Sequence, residues 1–119
     1  MGIMAADLSL NTPDFRAAER TFDLITQAAG RAGRRDRPGI VIIQTYEPDH
    51  YAVKSAAQQD YPAFYRQEAA FRRMMNYPPA STLYQVLLQS PDEDELNRSG
   101  QKIREVLEQK GLEITYRED

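Results

Sequence analysis

The sequence predicts an α/β protein of 119 residues, and three patterns carry that prediction. An amphipathic helix is expected in the first third of the chain, between Thr12 and Ala29. The run Gly39–Tyr46 (GIVIIQTY) has consecutive β-branched residues, which are typical of a parallel strand buried on both faces. Strand, helix and strand patterns then succeed one another near the end as a β-α-β unit. We therefore expect a parallel sheet covered by helices, followed by half of a small α+β domain.

The N-terminal elements are read from apolar spacing and from helix-end residues. Ile3–Leu8 is short and mildly apolar, which favours an interior strand. Thr12 can then cap a helix that has Pro13 at its first position. The apolar stripe of this helix recurs at steps of three and four residues and consists of Phe15, Ala18, Phe22, Ile25 and Ala29. Because glycine is common at helix ends, we expect this helix to end at Gly30 or Gly33.

Two further helices are expected after the apolar strand. His50, a lone histidine in a proline turn, is expected to cap a short helix over Tyr51–Gln58 or to lie at the surface. A stronger helix begins at Asp60 and stops at NYPPAS, because neither proline can donate to a helix ladder. Its apolar side is interpreted as core, with base stacking as the alternative, and comprises Tyr61, Phe64, Tyr65, Phe71 and Met75. Arg72 and Arg73 could touch DNA phosphate, but a solvated helix end explains them equally well.

We place a domain boundary at this proline turn, between residues 1–79 and residues 80–119. The second part predicts a strand over Thr82–Gln89, a helix from the capping-box pair Ser90 and Glu93 to Gly111, and a strand over Leu112–Tyr116. The acidic run Asp92–Glu95 suits a helix N-terminus, where negative charge complements the helix dipole.

Composition limits the classes of function. The chain has 15 basic and 18 acidic residues and a net charge of -3, which argues against a freestanding clamp for duplex DNA. The absence of cysteine excludes disulfides and thiolate metal sites within the chain. No apolar run approaches the roughly 18 residues of a membrane span, and the start lacks a signal-peptide pattern. We therefore expect a cytoplasmic location and no membrane partner.

Positive charge is nevertheless concentrated in TQAAGRAGRRDRPG, Thr26–Gly39, which holds four of the 15 basic residues, Arg31, Arg34, Arg35 and Arg37. A guanidinium keeps its charge and offers a planar fork of donors to phosphate oxygens. Arg31 and Arg34 could therefore hold one terminal phosphate from two sides, with Gln27 positioned to orient a water or a phosphate oxygen. A solvated basic loop at a helix end explains the same spacing equally well. Arg35 and Arg37 lie outside the motif and are expected to be solvated.

The octet QAAGRAGR, Gln27–Arg34, resembles motif VI of the superfamily 2 helicases. The resemblance extends to the primosomal replication-restart helicases, or primosomal protein N′ family, through DLSLNTPDFRAAERTFDLITQAAGRAGR, GIVIIQTYEPDHY, DYPAFYRQE and RRMMNYPP. It covers nearly the whole chain in the family's order of elements. It implies that residues 1–79 are the truncated end of the second RecA-like lobe and that residues 80–119 open a C-terminal α+β domain. The family's phosphate-binding loop, DExH box and zinc-binding cysteine cluster would lie upstream.

The same resemblance implies roles for the motif residues. Arg31 and Arg34 would face the γ-phosphate of ATP across the cleft between the lobes, with Arg34 as the arginine finger. Gln27 matches the first position of the motif, and Gly30 and Gly33 would allow close approach to the nucleotide. ATP with Mg²⁺, and zinc outside this segment, would belong to the longer parent protein. None of these groups is expected to be bound here, and no metal ligands are predicted in this chain.

The implied function is that of a fragment of an ATP-dependent 3′–5′ DNA helicase that acts in replication restart, in primosome assembly at stalled forks. Its implied partners are single-stranded and forked DNA, primosome proteins and single-strand-binding proteins. The fragment alone is expected neither to hydrolyse ATP nor to unwind DNA, because it supplies one wall of the site. The alternative is a DNA-fork or partner-protein binding module whose function lies in the β-α-β unit instead of in motif VI.

Overall fold

The computed structural model of the chain describes residues 2–33 and 36–115. Within them the elements are, in order, β1 (Gly2–Ile3), α1 (Ala6–Leu10), α2 (Ala17–Ala32), β2 (Ile42–Ile43), α3 (Tyr51–Ala57), α4 (Tyr61–Met74) and α5 (Glu93–Gln109). The chain divides into two compact units, a first unit Met1–Leu83 and a second unit Tyr84–Asp119. Helices combined with a small parallel sheet agree with the predicted α/β class. The assignment of residues 1–79 and 80–119 to named domains stays a prediction.

The sheet of the described residues consists of β1 and β2, which run parallel. Gly2 lies opposite Ile42 and Ile3 opposite Ile43, and the backbone N–H of Gln44 donates to the Ile3 carbonyl at 2.8 Å. The predicted strand Gly39–Tyr46 is thus reduced to two residues. The prediction that this strand is buried on both faces is wrong for Ile42, which is 70% exposed. The reason is that the described residues supply one neighbouring strand and cover the sheet on one side.

The segment Ile3–Leu8, predicted as a strand, is a strand only as far as Ile3. Ala5 then has a left-handed backbone with φ of 57°, which turns the chain into α1. Ala6, at the start of that helix, is almost fully buried. The prediction failed because a short apolar run does not distinguish a strand from a buried helical turn.

The helix α2 begins later than the predicted cap at Thr12. The Thr12 hydroxyl donates to the Leu8 carbonyl at 2.9 Å, and the Asp14 carboxylate accepts from the backbone N–H of Arg16 at 2.9 Å. Both side chains therefore stabilise the turn between α1 and α2, and α2 starts at Ala17.

The core of the first unit lies between the small sheet and helices α1 to α4. Its buried apolar residues are Ile3, Ala6, Phe22, Ile25, Ala52, Val53, Ala56 and Phe64. The rings of Phe22 and Phe64 stack with their centroids 4.4 Å apart, so the predicted core role of both is confirmed. The same prediction is wrong for Tyr61, Tyr65 and Met75, which are 58%, 59% and 45% exposed. A packed helix buries only one stripe of its surface, and α4 buries the stripe that carries Phe64.

Side-chain caps fix the starts of α3 and α4. The Nδ1 atom of His50 accepts from the backbone N–H of Ala52 at 3.1 Å, which confirms the predicted capping role of this histidine. The Asp60 carboxylate accepts from the backbone N–H of Ala63 at 3.0 Å, so α4 begins where the sequence predicted.

In the second unit, α5 starts slightly later than the predicted capping box. The Asp92 carboxylate accepts from the backbone N–H of Glu95 at 3.2 Å, while the Ser90 hydroxyl accepts from the backbone N–H of Asp92 at 3.1 Å. Asp92 is therefore the cap, because its side chain reaches the free N–H groups of the first turn. The acidic run at this N-terminus is confirmed.

The two strands predicted around α5 are not formed in the described residues. Neither residues 82–89 nor residues 112–115 carry a strand. Tyr116, the last residue of the second predicted strand, lies outside the described part of the chain. A strand needs a hydrogen-bonded neighbour, and the described residues of the second unit supply none, which is why the alternating pattern did not become a sheet.

Candidate functional site

The motif singled out from the sequence lies on the last two turns of α2. One side of this helix is buried and holds Ala17, Thr21, Phe22 and Ile25. Gln27 and Arg31 are both exposed, and since they are four residues apart they lie one above the other on the same side of the helix. The packed face of α2 therefore fixes the direction in which these two polar side chains project.

Arg31 forms no side-chain hydrogen bond or ion pair with any residue in the described ranges. It lies in the last turn of α2, where the partial negative charge of the helix end favours a cation. The helix thus fixes the backbone position of Arg31, and no described residue uses its guanidinium donors. An arrangement of this kind can bind an anion with several oxygen atoms.

The two glycines of the motif have different positions. Gly33 is the C-cap of α2 with an extended backbone, so the predicted helix end at this residue is confirmed, whereas Gly30 lies inside the helix. A Cβ atom built on either glycine would meet no other atom within 4 Å. Packing against the described residues therefore requires neither glycine, and none of these residues covers the positions of Gly30 and Gly33.

The structure thus brings four of the five predicted site residues together at one helix end, namely Gln27, Gly30, Arg31 and Gly33. The fifth, Arg34, and its neighbour Arg35 lie outside the described residues. Arg37 is exposed, as predicted.

A third glycine near the motif, Gly39, has a structural role that the sequence analysis missed. A Cβ atom at Gly39 would overlap the carbonyl oxygen of Ala32 and lie 2.8 Å from the Ala32 Cβ atom. The loop that follows α2 therefore returns onto the end of the helix at a point where only glycine fits. The Pro-Gly pair at this position was a turn signal, but sequence does not reveal what the turn approaches.

Exchanging these glycines for alanine is expected to have opposite effects on stability. Gly30→Ala should raise the free energy of unfolding by about 0.5–1 kcal/mol, because alanine is favoured over glycine in a helix interior. Gly39→Ala should lower it by about 1 kcal/mol or more, because the added methyl collides with backbone. Urea unfolding followed by circular dichroism measures both. A destabilised Gly30→Ala variant would contradict the uncovered position of Gly30 among the described residues.

A buried polar cluster supports α2 from the other side. The guanidinium of Arg72 on α4 contacts the carboxylate of Glu19 on α2 at 2.7 Å and that of Glu68 on α4 at 2.9 Å. It also donates to the carbonyl of Pro78 at 3.4 Å. The side chains of Arg72 and Glu68 are only 12% and 7% exposed. Both alternatives weighed for Arg72 in the sequence analysis, contact with DNA phosphate and a solvated helix end, are therefore wrong, because its side chain is buried and its donors are used inside the protein.

The hydroxyl of Tyr51 on α3 completes this cluster by donating to Glu68. Burial and the Glu68 carboxylate raise the pKa of Tyr51, so this phenol stays protonated. Burial acts to lower the pKa of Arg72, but its hydrogen bonds to Glu19 and Glu68 outweigh that effect and raise it. We call these four side chains the Arg72 cluster. It joins α2, α3 and α4, and the Glu68–Arg72 spacing of four residues was its only sequence signal.

Neither a metal site nor a membrane span is found in the described ranges. No group of three or more histidine, aspartate or glutamate side chains there is arranged to hold a metal ion. None of the helices in the same ranges is both long and apolar enough to cross a membrane.

No family model matches the chain, but curated proteins do. The chain is 53% identical over 79 residues to a protein of Bacillus subtilis, 42% identical over 109 residues to one of Synechocystis, and 39% identical over 107 residues to one of Chlamydia trachomatis. These matches cover 66%, 92% and 90% of this chain. All three relatives are replication restart proteins, and the chain belongs to their family.

The particular protein that these relatives represent is the replication restart protein PriA. The matched regions make up 10%, 13% and 14% of the three relatives. The chain thus corresponds to a short segment of a PriA protein.

Proposed function

We propose that this chain supplies the motif VI side of the ATP site in an ATP-dependent 3′–5′ DNA helicase that acts in replication restart. The observation that carries the proposal is Arg31, a guanidinium on the exposed side of a packed helix with no partner among the described residues. Family membership supports the parent activity, because the relatives are named replication restart proteins.

The described residues fit the phosphate end of a nucleotide. The donors of Arg31 are not used by any described residue, and Gln27 lies one turn away on the same side of α2. No described side chain covers Gly30 or Gly33. ATP with Mg²⁺ would supply the transferable phosphoryl group. This segment would bind its terminal oxygens through Arg31 and Arg34, which would stabilise the charge that develops there. Gln27 would orient the attacking water.

The metal ions would be held elsewhere in the parent protein. The described residues contain no group of three or more histidine, aspartate or glutamate side chains arranged to hold a metal ion, and the chain contains no cysteine for zinc. ATP hydrolysis would need the phosphate-binding loop and the DExH box, which the family resemblance places upstream, so the isolated chain is expected to be inactive both as an ATPase and as a helicase.

The fold supports a position at the end of a RecA-like lobe for residues 1–79. Parallel pairing of β1 and β2 suits such a lobe, and the exposed side chain of Ile42 suits a sheet whose second face is covered by further parts of the parent protein. Residues 80–119 would open the C-terminal domain. The parent protein would act in the cytoplasm on single-stranded and forked DNA, with primosome and single-strand-binding proteins as partners.

The direct test is alanine replacement of the motif arginines in the full-length protein. Arg34→Ala and Arg31→Ala are each expected to leave nucleotide binding largely intact and to lower ATP turnover by about 10²-fold or more. Steady-state ATPase assays and a nucleotide-binding titration measure the two effects separately.

The matched control is Arg37→Ala, which removes an exposed arginine outside the motif and should leave turnover unchanged. Lysine at position 34 should not restore activity, because an ammonium lacks the planar fork of donors. ATPase activity close to that of the wild type in Arg34→Ala would refute the assignment.

A binding role for the second unit is the other candidate function. Its described residues expose several apolar side chains, including Tyr84, Val86 and Leu87, and such a surface suits a partner protein or a DNA fork. Titration of the chain with forked DNA discriminates between the two functions. Binding that persists after both Arg31 and Arg34 are replaced would favour the second unit.

A further inference from the structure

Two runs of the sequence that have no part in the proposed nucleotide site, PDFRAAER and RRMMNYPP, meet in the structure. Phe15 and Glu19 belong to the first run, and Arg72 and Tyr77 belong to the second. The ring centroids of Phe15 and Tyr77 lie 6.0 Å apart, and the Arg72 guanidinium lies 5.3 Å from the centroid of the Phe15 ring. The proline turn that follows α4 is therefore packed against the start of α2.

Arg72 is held on its own side of this contact before it reaches α2. Its Nε atom donates to the Glu68 carboxylate at 2.9 Å, and its Nη1 atom donates to the Pro78 carbonyl at 3.4 Å. The backbone N–H of Tyr77 in turn donates to the Arg72 carbonyl at 2.8 Å. The remaining nitrogen, Nη2, donates to the Glu19 carboxylate at 2.7 Å. Because a guanidinium is planar and rigid, the first two bonds set the direction in which Nη2 meets Glu19.

The same helix carries Glu19 at its start and Arg31 at its end. They belong to one continuous helix of 16 residues and lie about 18 Å apart along its axis. Apolar packing stabilises α2 without a preferred direction, whereas a charge-assisted hydrogen bond requires a particular distance and orientation. The pair of Glu19 with Arg72 therefore limits rotation of α2 about its axis, and with it the direction in which Arg31 projects.

We propose that Glu19 is a positioning residue for Arg31. This inference rests on the function proposed above, because it concerns ATP turnover at the same site. Glu19 lies about 120° around the helix from Arg31, so it would act through α2 and not by touching the nucleotide. A displacement of about 1 Å at a reacting group can lower a rate by about 10²-fold, so a small rotation of α2 is sufficient. The proline turn then serves to hold Arg72 in place.

The test is a steady-state ATPase assay of the full-length protein carrying Glu19→Ala. The kcat should fall by about 10-fold, less than the loss expected for Arg31→Ala. The KM for ATP should stay the same, because the motif arginines are expected to act on the transition state more than on nucleotide binding. In an Arg31→Ala background, Glu19→Ala should lower kcat by less than about 2-fold, because residues that act through one another are not additive.

Arg20→Ala is the matched control. Arg20 is the next residue of α2, is similarly exposed, and also forms an ion pair, with Asp14 at 3.2 Å. Asp14 lies in the turn before the same helix, so this pair does not join α2 to α4, and its loss should leave kcat unchanged. Circular dichroism and urea unfolding check that every variant is folded in the assay. Glu19→Ala should pass this check, because Glu19 is half-exposed and Arg72 keeps Glu68.

The results distinguish failure of this inference from failure of the proposed function. Unchanged kcat in Glu19→Ala, together with the expected loss in Arg31→Ala, would overturn the positioning role and leave the proposed function standing. A further loss of about 10-fold in the Arg31→Ala background would also overturn it, because Glu19 would then act independently of Arg31. Full turnover in Arg31→Ala would refute the role of Arg31 in the proposed function, and the positioning role of Glu19 with it.

Discussion

Replacing Arg72 with methionine is expected to lower the free energy of unfolding of the first unit by about 3 kcal/mol. Methionine keeps much of the side-chain volume but removes the guanidinium, so the buried Glu68 carboxylate loses its ionic partner. An unpaired buried charge is costly, because neither water nor a cation compensates it. Urea unfolding followed by circular dichroism measures the loss.

Two further variants separate burial from charge in this cluster. Glu19→Gln should lose only about 1 kcal/mol or less, because Glu19 is half-exposed and Arg72 keeps Glu68. Adding Glu68→Gln to Arg72→Met should recover part of the stability, because it removes the unpaired negative charge of the Glu68 side chain but keeps a hydrogen-bond acceptor for Tyr51. If Arg72→Met unfolds at the same urea concentration as the wild type, the Arg72 cluster does not stabilise the fold.

Replacing Phe22 with alanine is expected to destabilise the first unit by about 3–5 kcal/mol. Phe22 is buried and its ring stacks on Phe64, so the shorter side chain leaves a cavity between α2 and α4. Thermal and urea unfolding measure the change. The loss is comparable to the whole stability of many domains, so a large unfolded fraction is expected.

Leu24→Ala is the control for this replacement, because Leu24 lies on the same helix but is half-exposed. It should cost less than about 1 kcal/mol. Similar losses in the two variants would mean that α2 does not bury the side that carries Phe22.

The sequence predicted best what depends on neighbouring residues. The cap residues His50 and Asp60 act on the N–H groups of the helices they precede, and Gly33 ends α2, so local rules were sufficient. Gln27 and Arg31 lie one turn apart within α2, and the sequence left this open because the helix was expected to end at either Gly30 or Gly33.

The sequence predicted poorly what depends on distant contacts. Arg72 meets Glu19 across 53 positions, and no local pattern shows that pairing. The stretch of residues 82–89 has the alternation of a strand but no neighbour in the described residues, and a strand is defined by its neighbour. Tyr65 follows the apolar spacing of α4, yet spacing does not show how wide the buried stripe is.

The isolation of Arg31 from the other described residues has a consequence inside cells. A side chain without such partners can be lost without loss of the fold, so a variant at Arg31 would escape chaperones and proteases and persist at normal abundance. A variant at Arg72 would be cleared, because quality control removes molecules of low stability. The two variants would therefore differ in abundance in a cell that makes both intact and altered copies. Only the Arg31 variant would persist there and compete with the intact protein.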